Sequence, residues 1–185
     1  NFHEKADVPA ELVSSPRIPD ADTVAAQIQS LAETRRRTPT LGFGNQVGPI
    51  YQRFSADGTW ARGFLVTDKH TNGFQNCHGG MLMAFADMAF GSVVTYELHR
   101  FWVTVRLVTD FVSSAQLGEF VQGNAVVTGT EDDFVTVRGH IWTGGNSPQM
   151  VGARTIMTGT GLFKMLGERP GQSPLDVQAK PQKAL

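Results

Sequence analysis

The residues best suited to chemistry lie in one uninterrupted stretch. Asn72-Gly-Phe-Gln-Asn-Cys-His78-Gly79-Gly80 runs directly into Met-Leu-Met-Ala-Phe-Ala-Asp87-Met-Ala-Phe-Gly-Ser-Val-Val94. A polar, glycine-bearing loop thus feeds an apolar segment whose one charge is Asp87. Such a segment predicts a helix buried on all sides, and a carboxylate inside it needs a reason. Gly79 and Gly80 fall where loop becomes helix. There the backbone N–H groups have no intrahelical acceptors and the dipole end is positive. Without a Cβ, Gly79 lets a ligand atom come close to its N–H. That is the geometry of a donor for negative charge developing on a carbonyl oxygen under attack.

Asp87 follows His78 by nine residues. On one helix the two are rotated by about 180° and separated by about 13 Å along the axis. They cannot act on one atom from a single chain. Either they have separate roles, or two chains pair so that Asp87 of one faces His78 and Gly79 of the other. Plainer readings exist for each residue: His78 as a helix cap, Asn72 as a turn residue, Asp87 as a carboxylate bonded to backbone N–H groups. Cys77 beside His78 does not make a nucleophilic pair, because adjacent loop residues rarely face each other. His70, His78 and Asp87 lack metal-ligand spacing, so no metal is expected.

These residues need elements to position them. Val24, Ile28 and Leu31 recur at helical spacing after Asp20 or Asp22, which predicts an N-terminal helix ending near Arg35-Arg36-Arg37. The three arginines read as a solvated helix end, or as an anion site. From Ile50 the period becomes two. Ile50–Ser55 and Thr59–Thr67 are predicted strands joined at Ala56-Asp57-Gly58. The apolar helix should end near Leu98. Strands are then expected over Phe101–Val112, Glu119–Thr128, Phe134–Thr143 and Gln149–Phe163. In the first of these, alternation places Val103, Val105, Leu107 and Phe111 on one face and Thr104, Arg106 and Asp110 on the other.

One long apolar helix and five to six antiparallel strands predict an α+β hotdog fold, a curved sheet wrapped around a central helix, plus the N-terminal helix. Residues 1–44 would be an arm and helix, 45–166 the hotdog domain, and 167–185 a flexible, proline-bearing tail. Unpaired strand edges favour pairing with a second copy.

The stretch resembles the phenylacetic-acid-type branch of the hotdog thioesterases. That family has a loop ending in His-Gly-Gly and an Asp nine residues after the His, matched here by Asn72, His78, Gly79, Gly80 and Asp87. A Val-Thr-Val strand follows (Val103-Thr104-Val105), and then Ser114-Ala115-Gln116-Leu117-Gly118-Glu119 in place of the family's Pro-Ala-x-x-Gly-acid turn. The likeness covers roughly residues 45–165. It implies hydrolysis of an acyl-CoA (or acyl-carrier) thioester, with no cofactor beyond the coenzyme A of the substrate. It further implies Gly79 N–H as oxyanion donor and Asp87 of the neighbouring subunit as general base or nucleophile. Asn72 would position water or the carboxylate, Thr104 would assist, and His78 would orient the loop or bond the thioester. The coenzyme A groove would involve Gly80, Phe111, Ser113, Ser114, Thr130 and Arg106. Ser114 replaces the usual Pro, and Arg106 stands where small or acidic residues are more familiar. The family pattern implies a dimer, assembled to a tetramer. A non-catalytic acyl-CoA sensor and a hotdog hydratase or dehydratase are the alternatives.

Composition agrees with a small-molecule enzyme. A net charge of −1 over 185 residues offers no field for nucleic acid or an anionic membrane. The segment Gly79–Val94 is too short to span a bilayer and carries Asp87 at its middle. The single Cys77 excludes an internal disulfide and fits a reducing compartment. The N-terminal residues have no apolar run suited to a signal peptide. An intracellular setting is therefore expected, cytoplasmic or organellar matrix, and compatible with removal of a targeting segment.

Overall fold

The computed structural model describes residues 36–37, 42–55 and 58–168. In chain order the elements are β1 (Arg36–Arg37), α1 (Phe43–Val47), β2 (Tyr51–Phe54), β3 (Trp60–Leu65), a 3-10 turn (Asp68–His70), α2 (Gly79–Glu97), β4 (Arg100–Phe111), β5 (Phe120–Glu131), β6 (Phe134–Thr143) and β7 (Arg154–Glu168). The strands form one antiparallel sheet in the order β1-β2-β3-β5-β6-β7-β4. The expected hotdog architecture is present: a curved antiparallel sheet against one long helix. No described helix is long and apolar enough to cross a membrane.

The reason α2 sits on the sheet is legible in its side chains. Met81, Leu82, Phe85, Ala86, Ala89, Phe90, Val93 and Val94 are all buried. Burying each large one contributes about 1.5–3 kcal/mol. Phe85 meets Phe64 of β3 edge-on, with ring centroids 4.8 Å apart. The sheet makes room for these rings by omitting side chains: a Cβ on Gly139 of β6 would lie 2.1 Å from the Phe90 ring. On the helix itself, Gly91 lets the Trp102 indole lie flush, its Nε1–H donating to Thr95 Oγ1 at 3.0 Å.

Several expectations change. The N-terminal helix falls largely outside the described residues, but Arg36–Arg37 pair with Gln52 and Tyr51 as a short strand rather than ending a helix. The last strand begins at Arg154, not Gln149, because residues 144–153 make a glycine-rich loop with positive φ at Gly144, Gly145 and Gly152. β5 runs on to Glu131, leaving only Asp132-Asp133 as its turn into β6.

The helix is not enclosed on all sides within one chain. Met83, Ala84, Asp87 and Met88 are only half-buried and recur at i, i+4 spacing, which makes one open stripe. Asp87 is therefore half-exposed rather than sealed in the core.

The faces of β4 also differ from simple alternation. Its pairing with β7 shifts register between Thr104 and Arg106. Thr104 lies opposite buried Phe163, while Arg106 lies opposite Leu162, the next residue of the same strand. Directly opposed residues share a face. Thr104 therefore points toward α2 and Arg106 away from it, because the extra residue of a bulge reverses the alternation.

A packing test follows from Gly91. Alanine there gains up to about 1 kcal/mol of helix propensity. Its Cβ, however, would stand 2.3 Å from the rigid Trp102 ring. Overpacking of this kind costs about 1–3 kcal/mol. We expect Gly91→Ala to be net destabilising in a denaturant melt; a gain in stability would refute the close packing of Trp102.

Candidate functional site

The start of α2 is a worked-out helix cap. His78 is the N-cap residue, and its Nδ1 accepts the Gly80 N–H at 2.9 Å. A ring nitrogen that accepts a hydrogen bond carries no proton, so neutral His78 is the Nε2–H tautomer and presents that N–H outward. The N–H groups of Met81 and Leu82 donate to the His78 carbonyl at 2.9 and 3.1 Å. The Gly79 N–H meets no acceptor among the described residues, which leaves it as the unsatisfied donor of this helix end. The Phe111 ring lies beside it, 3.5 Å from where a Gly79 Cβ would stand.

The preceding loop is held by its own backbone. Asn72 Oδ1 accepts from the N–H groups of Phe74 (2.9 Å) and Asn76 (3.3 Å). Its backbone N–H donates to the Asn76 carbonyl at 2.9 Å. The Asn72 oxygen therefore orders the loop. Three backbone bonds then fix the loop to the domain: His78 N–H to the His70 carbonyl and Cys77 N–H to the Ala115 carbonyl, both 2.7 Å, and Leu117 N–H to the Gln75 carbonyl at 3.3 Å.

His70 is a buried brace beneath this loop. Its Nδ1 accepts the Thr67 N–H at 3.0 Å, so its Nε2–H donates to the Val47 carbonyl, also at 3.0 Å. Burial, more than any other influence, pushes its pKa below the ordinary 6.5. On the other side Ala115 is held by the 114–119 turn. Glu119 accepts from the Gln116 N–H at 2.7 Å and forms an ion pair of 2.6 Å with Arg154. Arg154 also donates to Ser113 Oγ at 3.1 Å and to the Ser114 carbonyl. Ser113 Oγ in turn donates to the Thr155 carbonyl at 2.5 Å.

Asp87 is a separate centre. Its Oδ1 accepts from Thr104 Oγ1 at 2.5 Å, on the open stripe of α2. Nearby, Thr109 Oγ1 meets Met83 Sδ at 2.8 Å. Because α2 is continuous from Gly79 to Glu97, the estimate of about 13 Å between His78 and Asp87 applies.

One chain thus brings together His78, Gly79, Gly80 and Phe111 at the helix start, and Asp87 with Thr104 further on. It does not bring Thr130 or Arg106 to either. Thr130 opposes Val135, which opposes Phe163, which opposes Thr104. Three strand spacings place Thr130 roughly 14 Å from Thr104. Arg106 lies on the outer face, so it does not share a face with Thr104 as alternation suggested. Cys77 is buried, and desolvation pushes its thiol up to about 12, so it supplies no thiolate near neutral pH. Among the described residues no group of three or more His, Cys, Asp or Glu could hold a metal.

Sequence reasoning missed His70, Arg154 and Thr109. Glu119 was visible as part of the turn motif, but nothing in the sequence marked Arg154, 35 residues on, as its partner.

Comparison with known proteins places this geometry. Residues 74–148 match the family model described as the thioesterase superfamily. A relative from Pseudomonas aeruginosa that carries the name of an esterase is 26% identical over 134 residues, covering 70% of this chain and 90% of its own length. The solved Escherichia coli PaaI protein of the phenylacetic acid degradation operon superposes with a TM-score of 0.55 at 18% identity, over 80% of this chain and 96% of that one. BH2602 from Bacillus halodurans, solved with CoA, gives a TM-score of 0.56 at 21% identity, over 80% and 91%. The chain thus shares the fold of these solved proteins, and its residues 74–148 carry the likeness to the thioesterase superfamily.

The brace under the loop sets a pH dependence. His70 has a folded pKa below its unfolded value, so as pH falls the unfolded chain takes up the proton first. Its stabilising contribution is complete above pH 6.5 and declines below it. His140, also lowered by burial, acts in the same direction. Denaturant melts at successive pH values should show stability falling below about pH 6.5, and His70→Gln should shallow that fall. An unchanged slope in the variant would remove His70 from the account.

Proposed function

We propose that this protein hydrolyses an acyl-CoA (or acyl-carrier) thioester to free acid and thiol. The observation that carries this reading is the Asp87 carboxylate on the open stripe of α2, one oxygen held by Thr104 at 2.5 Å. That bond orients the carboxylate and leaves its second oxygen for a water or for the acyl carbon. As general base, Asp87 would draw a proton from water attacking the thioester; as nucleophile, it would form an anhydride that water then opens. The Gly79 N–H, at the positive end of α2, would receive the carbonyl oxygen as its charge grows. His78 Nε2–H would donate a second bond to the same group. Asn72 would act through the loop whose turn it closes.

The two halves are too far apart to serve one thioester within a chain, so the reading requires two protomers. What supports this is the unfinished surface. Beside the stripe, edge strand β4 and the residue after it expose Phe101, Val103, Val105, Val108, Phe111 and Val112. An apolar edge strand of this kind seeks another strand. A second copy covering it would bring Asp87 of one protomer to Gly79 of the other. Further assembly to a tetramer would extend the same pairing.

Coenzyme A as carrier is suggested by the Bacillus halodurans protein solved with CoA. Gly80 and Phe111 lie at the start of α2, and with Ser113 and Ser114 they would contact the pantetheine arm. Thr130 and outward-facing Arg106 would meet the carrier's more distant groups, if any. Ser113 and Ser114 are already clamped by Arg154, so that wall of the groove would be preformed.

Thiol release from a panel of acyl-CoA esters tests the reading. Asp87→Asn should lower turnover by about 10²-fold or more with folding intact. Gly79→Ala should do likewise, since its Cβ makes only ordinary contact with Phe111 but blocks approach to the N–H. Activity near wild type in Asp87→Asn would sink the assignment. Binding of acyl-CoA without any thiol release would instead favour a sensor.

The cross-protomer arrangement makes its own expectation. A purified heterodimer of one Asp87→Asn chain and one Gly79→Ala chain contains one intact site, and should recover about half of wild-type turnover. Sites built within single chains would both be damaged, and such a heterodimer would stay inactive.

A further inference from the structure

A cavity lies on the other side of the sheet from Asp87. It has a volume of about 410 Å³ and is lined by β2, β3, β5, β6, β7 and the loop between β6 and β7. Its floor is a cross-strand row: Asn124 opposes His140, and His140 opposes Thr158. Arg138 lies two residues before His140 on β6 and so shares its face. Gly139 between them faces Phe90 of α2, which puts Arg138 and His140 on the convex face, away from the helix. The roof is the loop segment Asn146-Ser-Pro-Gln149.

This cavity has a marked charge. Two guanidinium groups, Arg53 and Arg138, line it together with no carboxylate, in a chain whose net charge is −1. Arg53 is positioned in advance: it donates to Ser55 Oγ and to the Asn146 carbonyl, both at 2.5 Å. His140 is fixed by its bond to Thr155 Oγ1 at 2.9 Å. Guanidinium groups lining one cavity suit a phosphate, with its several oxygens and near-double charge. The amide of Asn124 and the hydroxyl of Thr158 offer uncharged contacts alongside. A volume of this size accommodates a small metabolite rather than a lone ion.

We propose that the convex-face cavity binds a phosphorylated small molecule of about the size of a nucleoside monophosphate, with Arg53 and Arg138 taking the phosphate. The site is separate from the thioester site, since the sheet stands between them, and it does not depend on the hydrolase reading. An occupant would join β2 to the roof loop and the β6 row, which gives the domain a ligand-sensitive contact remote from Asp87.

Calorimetric titration of the full chain with adenosine 5′-monophosphate, inorganic phosphate, adenosine and coenzyme A tests this. Adenosine monophosphate should bind, adenosine should not, and inorganic phosphate should compete. Arg138→Gln, at an exposed position, should fold as wild type by thermal melt and weaken binding by at least about tenfold. Asp87→Asn should bind normally. Absence of binding by any phosphate compound at millimolar concentration overturns the proposal, as does binding indifferent to Arg138→Gln or equal for adenosine. Coenzyme A binding that Arg138→Gln and Asp87→Asn both abolish would make the cavity part of the substrate groove, and so overturn the separate site.

Discussion

The constraint on which the structure depends is that α2 has almost no polar face. A helix bearing Met81, Leu82, Phe85, Ala86, Phe90, Val93 and Val94 must be covered over most of its circumference. A curved antiparallel sheet is the surface that can do so. The sheet accommodates the larger rings by placing glycine at facing positions such as Gly139, and α2 reciprocates at Gly91 for Trp102. What one chain leaves uncovered is a single narrow stripe, and that stripe carries Asp87. The carboxylate thus avoids desolvation within the chain, and it lies where a second surface would close over it.

The N-terminal end of α2 is held by a different set of forces. Its loop buries little apolar surface, Phe74 being exposed, and hydrogen bonds do the positioning: Asn72 closes the turn, His78 caps the helix, and His70 and Ala115 receive the loop's N–H groups. The Glu119–Arg154 pair fixes the neighbouring turn, and it is partly exposed. In water such a pair contributes modestly to stability. Its value here is geometric, because one guanidinium joins Glu119, Ser113 and the Ser114 carbonyl. Rigid backbone donors that need no reorganisation are what stabilisation of a developing oxyanion requires.

The two faces of the sheet differ in character. The concave face is filled by α2 and is apolar. The convex face is partly covered by the loop 144–153, under which Trp142 is buried, and it leaves a cavity whose lining includes two arginines. Strand alternation lets the same three central strands serve both environments, since successive side chains face opposite ways.

Most of the architecture was legible in residue order. Strand periods, the Asp-Gly hairpin and the long apolar run marked five of the elements nearly to their ends. The loop-to-helix junction and Asp87 were recognisable by type and spacing, and the nine-residue interval alone separated them by half a turn and about 13 Å. Tertiary structure decided what local pattern cannot encode. A bulge between Thr104 and Arg106 reversed the facing of β4, because one extra residue leaves composition unchanged but shifts every later side chain. The clamp of Arg154 on Glu119 and the brace of His70 join residues far apart in the chain, and only folding makes them neighbours. The exposure of Asp87 was likewise beyond the sequence: apolarity says that a helix must be covered, but only the packed sheet determines which stripe it leaves bare.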